Sequence, residues 1–178
     1  MPRAPRPRPP RREARIRCLL WEDPTWRRIS DAAKTTYLQI ATSPELSTCG
    51  DSALSLTRLA ASRISASDEA LVAAKAKEIG DDLAELMDKE FVYVDYATEE
   101  VLIRGFVTRH SLGHTWQQLM RIDRDWQPIR SHVIRSLVLD DVRMSIPSPL
   151  PPEWIPKLEP AFASAIVQPS RIMSKEAV

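Results

Sequence analysis

The sequence predicts a mainly α-helical fold with one small β-hairpin and disordered, proline-rich termini. Along the central chain, apolar residues recur at intervals of three and four, which is the spacing of one buried helix face. Residues 91–107 break that pattern, because FVYVD and VLIRGFV are rich in β-branched and aromatic side chains around the polar YATEE. Five prolines in the first ten residues and seven over 144–178 oppose regular structure at both ends. The folded region is therefore predicted to cover about residues 17–143.

Helix starts before the hairpin are marked by side chains that can accept a hydrogen bond from the first turn. Such capping residues stand in front of helical apolar patterns at Asp23, Ser30, Ser55 and Ser67. The helix after Ser55 is predicted over 56–64, and the helix after Ser67 over 68–89. The second of these is the longest, and a seam of apolar residues runs down it: Val72, Ala76, Ile79, Leu83 and Leu86.

One more helix is predicted after the hairpin, over 128–143, with Pro128 at its first position. Its apolar face consists of Ile129, Val133, Ile134, Leu137, Val138 and Val142. Trp116 and Trp126 lie in the approach to this helix, and we expect them to close the core.

Three helices followed by a hairpin is the element order of a winged helix-turn-helix domain. In that arrangement 55–64, with its cap, is the positioning helix, 68–89 is the recognition helix that enters the DNA groove, and the hairpin is the wing. The predicted organisation is a basic arm over 1–16, a winged helix-turn-helix domain over 17–112, a helical extension packed on it over 113–143, and a flexible tail over 144–178.

Two stretches resemble a known family: WEDPTWRRISDAAKTTYLQI near the start and FVYVDYATEEVLIRGFVTRHSL at 91–112. They are similar to helix-turn-helix proteins of actinobacterial phages and prophages, which are related to the winged-helix domains of phage replication-initiation proteins. The likeness spans about 17–139. It implies a phage-type DNA-binding protein of the host bacterial cytoplasm that acts in replication initiation or transcription control, with double-stranded DNA as its partner and possible contacts to a replication or transcription protein.

Charge is distributed unevenly along the chain. Residues 1–17 carry seven arginines against Glu13 alone, a net of +6, which leaves −5 for the rest of a chain whose formal charge is +1. A basic arm is attracted to polyanions because cationic side chains release the counterions of phosphates. The candidate phosphate contacts in the arm are Arg3, Arg6, Arg8, Arg11 and Arg12. A solvated tail that keeps the protein in solution explains the same composition.

The predicted recognition helix is acidic, with seven carboxylates against three lysines over 68–89. Lys75 and Lys77 are its candidate DNA contacts. Further candidates are Arg58 and Arg63 beside the turn of the helix-turn-helix, Arg104 on the wing and Arg109 after it. The alternative function is a winged-helix adaptor that binds a protein through the acidic helix and offers its proline-rich ends as linear ligands.

Other classes of function find little support in the sequence. No phosphate-binding GxxxxGK[ST] or GxGxxG string and no GxSxG nucleophile string occurs, so neither an enzyme nor a cofactor is indicated. His110 and His114 have metal-ligand spacing on a helix, but Gly113 argues against a helix there. Cys18 and Cys49 are expected to be reduced thiols.

No apolar run reaches the roughly 20 residues of a membrane span, and no apolar segment of a secretory signal follows the arm. The pattern leaves the oligomeric state and the recognised DNA sequence open.

Overall fold

The structure is a computed structural model, and it describes residues 13–14, 16–64 and 68–167. These residues form mainly helices, together with a small three-stranded antiparallel sheet. The arm arginines up to Arg12, the predicted cap Ser67 and residues 168–178 lie outside the described residues. Within them, no helix is both long enough and apolar enough to span a membrane.

The chain divides into two compact units, each built from two separate stretches. Unit 1 contains the described residues up to Leu46 together with Leu56–Leu86. Unit 2 contains Ser47–Ser55 and the described residues from Met87 onward.

Unit 1 is helical, and a 3-10 helix over Cys18–Glu22 precedes two capped helices, α1 (Pro24–Arg28) and α2 (Asp31–Ala41). The Oδ1 atom of Asp23 accepts hydrogen bonds from the backbone N–H groups of Thr25 at 2.7 Å and Trp26 at 3.3 Å. The Oγ atom of Ser30 accepts one from Ala33 N at 3.1 Å. Two of the four caps predicted from the sequence, Asp23 and Ser30, are therefore confirmed.

The other helices of unit 1 are α3 (Leu56–Ala61) and α4 (Glu69–Asp88), and α4 runs two residues past the unit boundary. Helix α3 ends three residues before the predicted limit at 64, whereas α4 agrees with the prediction of 68–89 within one residue at each end. The predicted seam of α4 is buried over its second half, where Ile79, Leu83 and Leu86 are fully buried. The ring of Trp26, also fully buried, meets that of Tyr37 edge-on at 5.1 Å.

Unit 2 contains the sheet, with strands β1 (Asp51–Ala53), β2 (Val92–Asp95) and β3 (Glu100–Ile103) in the order β1-β3-β2. Val94 pairs with Val101 in the hairpin, which confirms the predicted β2–β3 ribbon. The sequence analysis did not predict β1. Asp51, Ser52 and Ala53 are not strand-forming residue types, so their backbone pairing with β3 decides their conformation.

The second hairpin strand is shorter than predicted. It ends at Ile103 instead of continuing to Val107, because Gly105 adopts a left-handed φ of 65° and the chain turns into the short helix α5 (Phe106–Arg109). The Asp141 carboxylate accepts the backbone N–H of Val107 at 2.7 Å and of Thr108 at 3.2 Å, which satisfies the first turn of α5. Gly50, with a φ of 84°, allows the close approach of Phe106, since a Cβ at Gly50 would lie 2.4 Å from the Cβ of Phe106.

Two longer helices follow, α6 (Trp116–Trp126) and α7 (His132–Ser145). The sequence interpretation missed α6, although a capping box between Thr115 and Gln118 defines its start. Helix α7 was predicted to begin at Pro128. It begins instead after Ser131, whose Oγ atom accepts Ile134 N at 3.2 Å, and Pro128 lies in the turn between the two helices. Trp126 is buried, as expected.

The flexible tail predicted over 144–178 is wrong for much of its length. Residues Ile155–Lys157 form a 3-10 helix, and Pro160–Val167 form helix α8. Leu158, Phe162 and Ile166 are buried in the core of unit 2, and the Phe162 ring lies 5.4 Å from that of Trp126. Proline is compatible with this structure because Pro160 occupies the first position of its helix, where no intrahelical N–H bond is lost.

The turn between β2 and β3 is organised by Asp95. Its Oδ1 atom accepts the backbone N–H groups of Ala97 at 3.0 Å and Thr98 at 3.3 Å. A hydrogen bond from the Ser131 side chain, followed by these backbone bonds, holds the pKa of Asp95 below its usual value. The charged carboxylate therefore stabilises the folded turn more than the protonated acid does.

This shift makes the contribution of Asp95 dependent on pH. Because the folded pKa is lowered, the stabilisation is present above the ordinary aspartate pKa of about 3.9 and is lost as the pH falls through the folded value. We expect Asp95→Asn to lower the urea midpoint at pH 7 and to leave it unchanged near the acid end of the titration. Glu99→Gln removes a charge from the same turn and serves as the control. An equal effect of both substitutions at all pH values would contradict a specific role for Asp95.

Candidate nucleic-acid interface

The outward surface of α4, the predicted recognition helix, is acidic in the structure. Its exposed ionisable residues are Glu69, Glu78, Asp81, Asp88 and Lys77. The other predicted cation, Lys75, is half-buried and forms an ion pair with Glu78. The exposed surface of α4 thus carries one positive charge, Lys77, and four carboxylates. Phosphates would be repelled from most of this surface.

Arg63 does not occupy the exposed position expected of a DNA contact. Its side chain is 17% exposed, and its Nη1 atom lies 3.5 Å from Oδ2 of the buried Asp82. Its Nε atom donates to Gln39 Oε1 at 2.8 Å, and Nη2 donates to Thr36 Oγ1. The predicted surface role of Arg63 is therefore replaced by a structural one: it connects the end of α3 to α2 and α4 inside unit 1.

Arg58 lies on the surface, but its guanidinium is already engaged. Nη1 and Nη2 donate to the two carboxylate oxygens of Glu45 at 2.6 and 2.7 Å, with both side chains about half exposed. Hydrogen bonding to Glu45 raises the pKa of Arg58 above its usual value. A phosphate would have to displace a bidentate carboxylate to bind here.

Arg104 and Arg109 follow the second hairpin strand in unit 2. The Nη1 atom of Arg104 lies 3.7 Å from Glu90 Oε1, a loose ion pair on a partly exposed side chain. The guanidinium of Arg109 lies 5.8 Å from the centre of the Phe91 ring, and its Nη1 atom is buried. Of this pair, Arg104 is the better placed to meet a ligand from solvent.

Hydrogen bonds connect the hairpin to the start of α7 within unit 2. The buried Glu100 accepts the backbone N–H of Arg130 at 2.9 Å and of Ser131 at 2.7 Å, just before α7 begins. The guanidinium of Arg130 donates to Thr98 O in the hairpin turn. The turn therefore has a fixed position with respect to α7, which is the stiffness required of a surface element that meets a rigid ligand.

Unit 2 also contains a cavity of about 390 Å³ between β3 and α7. Asp140, Asp141, Arg104 and Cys49 supply its polar lining. Asp140 forms an ion pair with Arg143 at 2.5 Å, and Asp141 caps α5. Both acidic groups of the cavity lining therefore have partners within the fold.

Two exposed cations belong to the helix that the sequence interpretation missed. Arg121 and Arg124 lie on α6, and both are exposed. Without a predicted helix, the positions of these two arginines on a common face could not be inferred from the sequence. The capping pair Thr115 and Gln118 was the available indication of α6.

No family model matches the chain, and comparisons with curated proteins and with solved structures give no match. The resemblance to phage helix-turn-helix proteins therefore depends on the quoted residues alone. Function has to be argued from connectivity, exposure and charge.

Proposed function

We propose that this protein is a winged-helix protein that binds double-stranded DNA. The observation that carries the proposal is the order of its elements, α2-β1-α3-α4-β2-β3, with the strands arranged β1-β3-β2 in the sheet. In winged-helix domains, too, a short strand between the first two helices pairs with the second strand of the hairpin. The hairpin β2–β3 corresponds to the wing, α3 to the positioning helix and α4 to the recognition helix.

The arginine-rich arm is proposed to supply most of the affinity. With a net charge of +6 over residues 1–17, it can neutralise several phosphates at once. Affinity supplied by the arm is compatible with a largely acidic α4 surface, because sequence-independent binding to phosphates then needs no contribution from α4. A role in phage replication initiation or transcription control, in the bacterial cytoplasm, is part of the same proposal and rests on the sequence resemblance.

The dependence of DNA binding on salt tests the role of the arm. A full-length variant with Arg3, Arg6, Arg8, Arg11 and Arg12 replaced by glutamine is compared with the unmodified protein on a random duplex between 50 and 200 mM salt. If all five bind phosphates, the slope of log affinity against log salt becomes shallower by about 4.5. Fluorescence anisotropy with a labelled duplex measures both slopes.

A matched variant removes charge from a site where we expect no contact. Arg58→Gln breaks the exposed pair with Glu45 and removes no predicted phosphate contact of the arm, so its salt slope should equal that of the unmodified protein. If the unmodified protein does not bind duplex DNA at 50 mM salt, the proposed function fails. If the five-arginine variant binds as tightly as the unmodified protein, the arm is a solvated tail.

A second candidate function is a winged-helix adaptor that binds a protein. The exposed carboxylates of α4 favour it, together with Leu71, which is 54% exposed on the same helix. A basic partner with an apolar anchor would complement such a surface. Charge reversal at Glu78 and Asp81 separates the two functions: it should strengthen DNA binding or leave it unchanged, whereas it should abolish binding of a basic protein partner.

A further inference from the structure

The exposed face of α6 is positively charged, and one apolar side chain, Met120, lies beside the charges at 47% exposure. At about 100° per residue, Gln117, Arg121 and Arg124 lie within about 60° of one another around the helix axis, and all three are exposed. The opposite side is buried, with Leu119, Ile122, Asp123, Asp125 and Trp126 facing the core of unit 2. An 11-residue helix is about 16 Å long, so these side chains form a short continuous stripe.

The acidic residues of α6 do not contribute to that stripe. Asp125 is 2% exposed and accepts hydrogen bonds from Thr48 N at 3.1 Å and Thr48 Oγ1 at 2.7 Å. Asp123 is 7% exposed and accepts Glu159 N at 2.9 Å. The helix therefore has two arginines and two aspartates in its sequence but presents its arginines to solvent and its aspartates to the interior.

The two arginines differ in how far they are engaged. The Nε atom of Arg124 lies 3.1 Å from Asp125 Oδ1, yet the side chain is 66% exposed. Across the described ranges 13–14, 16–64 and 68–167, no carboxylate forms an ion pair with Arg121. Another cation lies at the start of the helix, where the Lys157 ammonium is 5.5 Å from the centre of the Trp116 ring. The stripe can thus receive an anionic ligand without breaking a bidentate pair, unlike Arg58.

We infer that this stripe, defined by Gln117, Arg121 and Arg124, is a docking surface for the duplex DNA of the proposed function. Arginine and glutamine are the side chains that form paired hydrogen bonds with guanine and adenine edges in the major groove, and arginine also binds phosphates. The α4 surface offers the reverse combination, with four exposed carboxylates and one exposed lysine. The inference rests on the proposed DNA binding. It assigns α6, instead of α4, as the helix that contacts the duplex.

The test compares two pairs of substitutions that remove the same charge in the full-length protein. Arg121→Gln/Arg124→Gln should weaken binding to a random duplex roughly 10- to 60-fold at 100 mM salt and make the salt slope shallower by about 1.8. Lys75→Gln/Lys77→Gln on α4 should change neither quantity. Arg121→Lys/Arg124→Lys keeps both charges and should restore the salt slope, because lysine binds phosphates as a point charge.

Each outcome decides the inference. If the unmodified protein binds the duplex and the α6 pair binds it equally well, or if the α4 pair has the larger effect, the inference is overturned while the proposed function stands. If the unmodified protein binds no duplex, both fail. If the α6 pair weakens binding only to duplex RNA or single-stranded DNA, duplex DNA is the wrong partner. A marked fall in the melting temperature of both α6 variants would show that these side chains maintain the fold, and it would also overturn the inference.

Discussion

Replacing Arg63 with alanine is expected to destabilise the protein by about 3 kcal/mol, because the substitution leaves the buried Asp82 without its cationic partner. Gln39 and Thr36 lose a hydrogen-bond donor at the same time. Urea denaturation monitored by circular dichroism measures the change in the free energy of unfolding. DNA affinity, measured where the variant is fully folded, should not change, since Arg63 does not face solvent.

The control for this prediction is Arg58→Ala, which removes the same side chain from a nearby position. Its pair with Glu45 is about half exposed, and exposed pairs contribute about 0–1 kcal/mol. The double variant Arg63→Ala/Asp82→Ala should cost less than the sum of the two single substitutions, because it leaves no unpaired charge. Equal costs for Arg63→Ala and Arg58→Ala would contradict the structural role of Arg63.

Phe162→Ala is expected to lower the free energy of unfolding by about 3–5 kcal/mol, the usual cost of removing a fully buried aromatic side chain. Phe162 belongs to α8 and contacts the Trp126 ring in the core of unit 2. The loss would establish that a stretch rich in prolines is an integral part of the fold. Intrinsic fluorescence during urea denaturation follows the same transition, with Trp126 as one of the five contributing tryptophans.

Val167→Ala is the matched control, since Val167 ends the same helix but is 58% exposed. A change within about 0.5 kcal/mol is expected for it. If Phe162→Ala were as mild as Val167→Ala, α8 would not be packed against unit 2, and the tail predicted from the sequence would be the better description.

Local rules predicted those parts of the fold that local interactions determine. Asp23 and Ser30 bind the first turns of their own helices, so their identity and position were sufficient to predict α1 and α2. The apolar seam of α4 and the β-branched and aromatic residues around β2 and β3 are equally local signals. The predicted start of the helix 128–143 differs from the observed start of α7 because Pro128 and Ser131 are both acceptable start residues. Only the packing of unit 2 selects between them.

The remaining features depend on contacts distant in sequence. Strand β1 exists through pairing with β3, about 50 residues away, and its own side chains carry no strand preference. Arg63 is polar and lies next to a predicted turn, so the sequence indicated a surface position; its burial follows from Asp82 on another helix. The orientation of Arg121 and Arg124 requires knowing that Asp123 and Asp125 accept hydrogen bonds from the backbone N–H of Glu159 and from Thr48.

The polypeptide passes from one unit to the other after Leu46, after Ser55 and after Leu86. Neither half can therefore be produced as an uninterrupted fragment. A peptide ending at Leu86 would contain β1 without the strand that hydrogen-bonds to it, and one starting at Met87 would lack Thr48, which binds the carboxylate of Asp125. Proteolytic trimming and deletion series are consequently unsuited to assigning activities to the two halves, and substitutions in the intact protein are the appropriate tool.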